Sequence, residues 1–371
     1  MEKKRILIIS GGMFPNNSPR AFRTTELVKE LGHLGHDVTL IIPFKNYDYS
    51  LFEKEHNVKI KFLRKRILPA VPSSKDGKER IVNRAIRRLL LLLFEYPAIE
   101  LMPLVRKALS KEKDYDLLIS IAVPFPLHWG VAWSKTKKHP IASTWVADCG
   151  DPYMGNTMDS FQKFFYFKYL EKWFCRKADF ISVPADDYIQ YYYSEFKPKI
   201  IVIPQGFKFS DSKLYNGKIE NPVPTFAFAG RFLPNIRDPR PFLDYLITLE
   251  CDFRFVVFAP YSELVEPYKV RLGSKLELRG FIPREDLMYE LSTMDFLVNI
   301  EFEASVKSNS PSKFADYIIA NRPVLSLNMA DLDTIKINEF LSGNYSNKLI
   351  IKDPDRFRIE NVVNQFISLI K

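Results

Sequence analysis

The sequence predicts an α/β protein made of two successive halves, and three observations carry that prediction. First, short apolar runs end in glycine: "RILIIS" at 5–10 runs into Gly11 and Gly12, and "PTFAFAG" ends at Gly230. A run that is apolar throughout is how a strand buried on both faces of a parallel sheet reads. Second, these runs alternate with segments of helical spacing, the pattern of strand–helix–strand units in a doubly wound sheet. Third, the stretch 206–223 is polar and has no period, and after it the strand–helix rhythm starts again.

In the first half, strands are expected at 5–10, 36–43, 57–63, 115–124, 140–148, 178–185 and 199–206. A helix is expected over 20–35, where Phe22, Leu27, Leu31 and Leu34 fall on one side. The stretch 64–109 is basic and then helical, 125–136 is helical, and an aromatic helix is expected from about 158 to 177. In the second half, strands are expected at 224–230, 253–260, 276–280, 295–301 and 322–328, with helices from 239, over 311–320 and at the terminus, 355–371. The expected organisation is a first Rossmann-like domain at 1–203, a linker at 204–223, a second at 224–354, and a terminal helix at 355–371 that packs back on the first.

Composition narrows the class. The chain has 371 residues, 46% hydrophobic and 26% charged, enough to build two cores without a metal or disulfide staple. Cys149, Cys175 and Cys251 form no CxxC pair, which speaks against structural zinc or disulfides and suits a reducing cytoplasm. The first residues read as a strand rather than a signal sequence. The strongest apolar run, Leu89 to Phe94, is far shorter than the roughly 18 residues that span a bilayer. The net charge of +10 favours anionic partners: nucleotide phosphates, acidic lipids or nucleic acid. No nucleic-acid-binding motif is visible, so nucleic acid is not expected.

Several segments, in order, match one family. "SPSKFADYIIANRPVL" at 310–325 has proline, a small residue, lysine, an acid and tyrosine in the spacing of a donor-site helix. "FAGRF" at 228–232, "VIPQGF" at 202–207, the pair "SIAVPFPLHWG" and "TWVADCGDPY", and "FPNNSPRAFRTTELVKELGHLGHDVTLI" complete the series. On these segments the chain resembles the family 4 type of retaining GT-B glycosyltransferases, the bacterial surface-polysaccharide type. The resemblance implies two Rossmann-like domains facing each other across a cleft. It also implies transfer of a sugar, with retention, from a UDP- or GDP-sugar to a saccharide or lipid-linked acceptor. Two positions depart from the family: Ser308 stands where many relatives have the first of two spaced acids, and Cys149, Gly150 and Asp151 stand where many have a histidine.

Breaking a sugar–phosphate bond leaves negative charge on a diphosphate, which cations and helix N-termini stabilise. Arg231, directly after a strand-ending glycine, and Lys313, in the first turn of a helix, are the expected diphosphate ligands. Arg237 is the substitute for a lysine that relatives carry nearby. Gly12, with Gly11, could let the backbone approach the phosphates, or could simply make a tight turn. The resemblance implies that Asp316, with Ser312 and Ser310, binds the ribose and the sugar. Asp148 and Asp151 end an apolar strand and are candidate catalytic acids, Asp151 the preferred one; the alternative is turn or cap chemistry. His128, at a helix start, is a further catalytic candidate, with a purely structural histidine as the alternative. No DxD loop is present, so no obligatory metal or other cofactor is expected.

Two other classes stay open: a GT-B sugar-nucleotide epimerase, and a non-enzymatic protein that binds anionic surfaces or nucleic acid. Between 62 and 88 the chain carries Arg64, Lys65, Arg66, Lys75, Lys78, Arg80, Arg84, Arg87 and Arg88 against Asp76 and Glu79, and the run Leu89 to Phe94 follows. Cations beside an apolar helix suit an anionic membrane surface, here the inner leaflet. The alternative is that the leucines are core and the arginines a solvated face.

Overall fold

The computed structural model describes residues 2–16, 18–43, 47–69, 81–155, 162–301 and 311–371, with backbone alone at 81 and 311–313. The chain divides into two compact units. One comprises Met1–Phe207 with Arg356–Lys371, the other Lys208–Asp355.

The first unit runs β1 (Arg5–Ser10), α1 (Pro19–His33), β2 (Asp37–Ile42), α2 (Ser50–His56), β3 (Val58–Phe62), α3 (Ile81–Phe94), α4 (Leu101–Leu109), β4 (Tyr115–Ala122), α5 (Pro126–Ser134), β5 (Ala142–Cys149), α6 (Phe167–Lys177), β6 (Phe180–Val183) and β7 (Ile200–Val202). All these strands pair in parallel, in the order β3-β2-β1-β4-β5-β6-β7. The continuous apolar reading of β1 has a direct cause. Ile6 and Ile8 pack with Leu27 and Leu31 of α1 on one face, while Leu7 and Ile9 pack in the cluster of Trp129 and Trp145 on the other. α1 begins where Ser18 caps it, its Oγ accepting from the Ala21 amide at 3.2 Å with Pro19 next in line. It ends at Gly35, whose φ of +83° continues no helix.

The second unit runs β8 (Thr225–Ala229), α7 (Arg240–Ile247), β9 (Arg254–Phe258), α8 (Glu266–Leu272), β10 (Leu276–Leu278), α9 (Arg284–Ser292), β11 (Phe296–Ile300), α10 (Pro311–Ala320), β12 (Val324–Leu327) and α11 (Thr334–Leu341). Its sheet is also parallel, in the order β10-β9-β8-β11-β12. Its core is aromatic: the Phe226 ring stacks on Phe255 at 4.9 Å and on Phe296 at 4.6 Å between centroids.

The last helix, α12 (Ile359–Ser368), belongs to the first unit. Phe207 and Arg358 form a β-bridge, and Val362, Val363 and Phe366 sit in the same apolar cluster as Ile6 and Leu27. Two expected boundaries move. α6 starts at Phe167, and 162–166 are not helical, while 158–161 of the expected helix lie outside the described residues; the terminal helix starts at Ile359, after a short 3-10 turn at Pro354–Phe357.

Candidate functional site

In open α/β sheets, ligands bind beyond the carboxyl ends of the strands where the strand order reverses. In the second unit that place lies between β8 and β11, and in the first between β1 and β4. The expected site residues of the second unit follow β8 and β11.

Gly230 has a φ of +140°, a conformation that a side chain disfavours. The turn puts Arg231 on the surface, where it has no ion-pair partner among the described residues. The chain then closes a small loop, with Leu233 and Arg237 exchanging backbone hydrogen bonds of 3.1 and 2.8 Å. Arg237 differs from Arg231. It is buried, which lowers its pKa, and the nearby Tyr317 partly offsets the cost. It is therefore an enclosed cation rather than one open to a diphosphate. Ser312 and Lys313 lie in the first turn of α10 by their backbone, while Ser310 lies outside the described residues. Asp316, expected to face ribose, is held by Arg284, which donates from Nη1 to Oδ1 at 2.5 Å. Glu301 accepts from Ser326 Oγ at 2.7 Å.

In the first unit Gly11 has a packing reason. A Cβ on Gly11 would lie 2.8 Å from Pro124 Cδ and 3.2 Å from the Val123 carbonyl, so the loops after β1 and β4 touch there. Gly12 is buried, and its carbonyl accepts from Ser10 Oγ at 3.0 Å.

Asp148 does not stand open as a catalytic acid. It is buried, and Arg23 grips it from both ends, Nε to Oδ2 at 2.6 Å and Nη2 to Oδ1 at 2.7 Å. Ser182 Oγ donates to it at 2.6 Å, and Arg20 Nη1 lies 3.6 Å from it. Burial alone would raise its pKa, but Arg23, with Arg20 and Ser182, holds it below the usual carboxylate value. Asp148 is the counter-ion of a buried arginine.

His128 also takes a structural place rather than a catalytic one. It is fully buried, with Nδ1 2.7 Å from Ser120 Oγ and Nε2 3.5 Å from Cys149 Sγ, and its ring stacks on Phe174. Burial pushes its pKa down to about 3, so it stays neutral in a cell. With both nitrogens turned inward it offers no face to a substrate. Asp151, in contrast, is exposed just beyond the strand end.

Sequence reading missed Arg20 and Arg23. The available signal was Asp148 itself, because an acid near the end of an otherwise apolar strand needs a buried cation. The structure adds that Gly150 makes room for Arg20. A Cβ there would fall 2.3 Å from Arg20 Cζ. Among the described residues no cluster of His, Cys, Asp and Glu is arranged to hold a metal ion.

Elsewhere on the first unit, α3 carries an outward apolar face: Val82, Ile86, Leu89 and Phe94 are exposed. Phe165 and Tyr169 are exposed as well, and between them the Tyr166 hydroxyl donates to the Leu93 carbonyl. Of the α3 leucines, Leu89 is exposed, while Leu90, Leu91, Leu92 and Leu93 are half-buried. No described helix is long and apolar enough to cross a membrane.

No family model and no curated protein sequence matches the chain. Solved structures do. Anabaena HepE, solved with UDP and glucose, is 11% identical with a TM-score of 0.57 over 100% of this chain and 96% of that one. The lipopolysaccharide outer core galactosyltransferase WaaB, in its apo form, is 11% identical with a TM-score of 0.58 over 99% of each chain. A Listeria monocytogenes protein described as a UDP-N-acetylglucosamine 2-epimerase is 11% identical with a TM-score of 0.55 over 100% of this chain and 96% of that one. The chain therefore has the two-sheet α/β fold of the GT-B structures it resembles.

Proposed function

We propose that this protein is a hexosyltransferase-type glycosyltransferase. It moves a sugar from a nucleotide-sugar donor to a saccharide or lipid-linked acceptor, with retention, in polysaccharide or glycoconjugate biosynthesis. The observation that carries the reading is Arg231: an exposed arginine directly after β8, beside the strand-order reversal of a sheet shared with HepE and WaaB. As the donor bond breaks, charge builds on the departing diphosphate, and a fixed cation at this place stabilises it. Lys313, at the start of α10, adds a second cation. Asp316, with Ser312 and Ser310, takes the ribose and sugar hydroxyls, Asp316 giving up Arg284 to do so. Asp151 is the exposed carboxylate on the first unit and orients the acceptor. With cations in this role, turnover survives chelation of divalent metals.

Thermal unfolding with UDP and with GDP tests the donor site. A nucleotide at 100 times its Kd stabilises by about 2.7 kcal/mol. The expected result is a clear shift for wild type with one of the two, lost in Arg231→Ala. If neither nucleotide nor its sugars shift the wild type, the reading is wrong.

The Listeria structure favours one other reading, an epimerase on the same fold. Incubation with a UDP-sugar and no acceptor separates them, since only an epimerase then yields an isomerised sugar. The exposed apolar face of α3, flanked by Arg84, Arg87 and Arg88, supports work at an anionic inner-leaflet surface, where a lipid-linked acceptor would lie.

A further inference from the structure

We propose that Arg20 is a recognition point for an oxyanion, phosphate or carboxylate, on the ligand that the first unit binds. That this ligand is the sugar acceptor rests on the glycosyltransferase reading; that the guanidinium takes an anion does not.

The argument starts from charge. At the carboxyl end of β5 the structure encloses two guanidinium groups and one carboxylate. Arg23 engages all three of its guanidinium nitrogens: two hydrogen bonds to Asp148, one of 2.7 Å to the Pro204 carbonyl and one of 3.2 Å to that of Ile203. Asp148 is in turn filled by Arg23 and Ser182. Arg20 gets what is left. Its Nη1 stands 3.6 Å from Asp148 Oδ2, too far for a hydrogen bond, and its side chain makes none among the described residues. The enclosed groups thus carry one positive charge in excess.

An unpaired arginine on a surface would simply be hydrated. Arg20 is not in that position: only 21% of its side chain is exposed. Burial lowers its pKa, Asp148 pulls the other way, and Arg23 adds to the lowering. The group is also fixed in place. A Cβ on Gly150 would lie 2.3 Å from its Cζ and 2.6 Å from Nε and Nη1, so the guanidinium rests against the Gly150 backbone. A fixed, poorly hydrated fork with open donors matches the two oxygens of a carboxylate or phosphate. It lies where α/β sheets bind ligands, just past the strand ends. Asp151, exposed and next to Gly150, is within electrostatic reach and competes for Arg20 until a ligand arrives.

The test uses the full chain carrying Arg231→Ala and Lys313→Ala, so that anion binding at the proposed donor site does not register. Calorimetric titrations at low salt use inorganic phosphate in one arm and glucuronate in the other, and the arm that binds identifies the oxyanion. Binding should weaken at least ~10-fold in Arg20→Gln, which removes a charge-assisted bidentate contact. Gly150→Ala keeps the arginine but displaces its guanidinium, and only the end of a flexible side chain has to move. It should weaken binding too, and it decides the matter if Arg20→Gln does not fold. Asp151→Asn should tighten binding by removing the competitor. The proposal is overturned if neither anion binds, or if Gly150→Ala and a folded Arg20→Gln bind like their parent. Titrations with UDP, GDP and their sugars on the chain with Arg231 and Lys313 intact report the donor site separately. If neither UDP nor GDP nor their sugars bind, the glycosyltransferase reading falls and the anion site is left standing.

Discussion

Asp148 and Asp151 look alike in the sequence and have opposite fates in the fold. Asp148 neutralises Arg23 in a dry setting, and removing one partner of a buried ion pair typically costs about 3–5 kcal/mol. Asp148→Ala should therefore lower stability by roughly that amount. Asp151 is exposed, and surface changes usually stay within about 0.5 kcal/mol. Asp151→Ala should leave the denaturation midpoint in place and reduce transfer. Urea unfolding of both variants, beside an activity assay, checks the pair. Glu171 provides a pH test. It is buried, and burial pushes its pKa up to about 7, against hydrogen bonds from the amides of Met154 and Tyr153. A raised carboxyl pKa means that the folded state holds its proton more tightly than the unfolded one. The resulting stability is fully present below about pH 4.5 and is lost as pH rises towards 7. Glu171→Gln removes that dependence, so it should gain on wild type by about 1–3 kcal/mol between pH 5 and pH 8. Unfolding midpoints that move in parallel at both pH values would refute it. At this scale the sequence said least. The Arg23–Asp148 pair joins residues far apart in the chain, and no local pattern announces such a contact.

At the scale of elements the sequence said more. β1 and β8 could be read because both faces of each parallel sheet are covered, which forces an unbroken apolar run. α1 could be read because Leu27 and Leu31 recur at helical spacing on the face it buries. α6 was read too long: the aromatic residues Phe164, Phe165 and Tyr166 fit a helical period by composition, yet the helix itself begins only at Phe167. The same segment matters for α3. Exposed Val82, Ile86 and Leu89 repeat at helical spacing, and Phe165 and Tyr169 are exposed on either side of Tyr166, whose hydroxyl reaches the Leu93 carbonyl. Each nearby cation contributes about 1 kcal/mol at an anionic bilayer, and salt screens that attraction. The expected result is co-sedimentation with vesicles containing acidic lipid, weakening as salt rises. It should be lost when Arg64, Arg84, Arg87 and Arg88 are changed to glutamine. Binding that survives those changes, or ignores lipid charge, would show that α3 serves something else.

At the scale of the whole molecule, the main fact is that the chain starts and ends in the same unit, with the second unit inserted between. α12 covers Ile6 and Leu27 with Val362, Val363 and Phe366, and the Arg23 guanidinium lies 5.5 Å from the Phe366 ring. Phe366 thus packs against the same arginine that grips Asp148. Phe366→Ala should cost about 3–5 kcal/mol, as large-to-small core changes do. The loss should fall on the first unit, with faster hydrogen exchange in β1, β2 and α1 and unchanged exchange in β8 and β11. Equal loosening of both units would mean that they unfold as one block.

The late position of α12 also bears on how the protein is made. A ribosome delivers the chain from its amino end, so the 7 described strands of the first sheet are synthesised before the helix that seals one of its faces. Meanwhile the second unit receives all of its own strands and helices. Ile6, Ile8, Leu27 and Leu31 must wait for residues that arrive only after that whole insertion. During that interval the nascent chain offers an uncovered apolar face, the kind of surface that chaperones hold and that neighbouring chains stick to. A premature stop ahead of Ile359 would strand the protein in that state, even though the described strands of both sheets had been made.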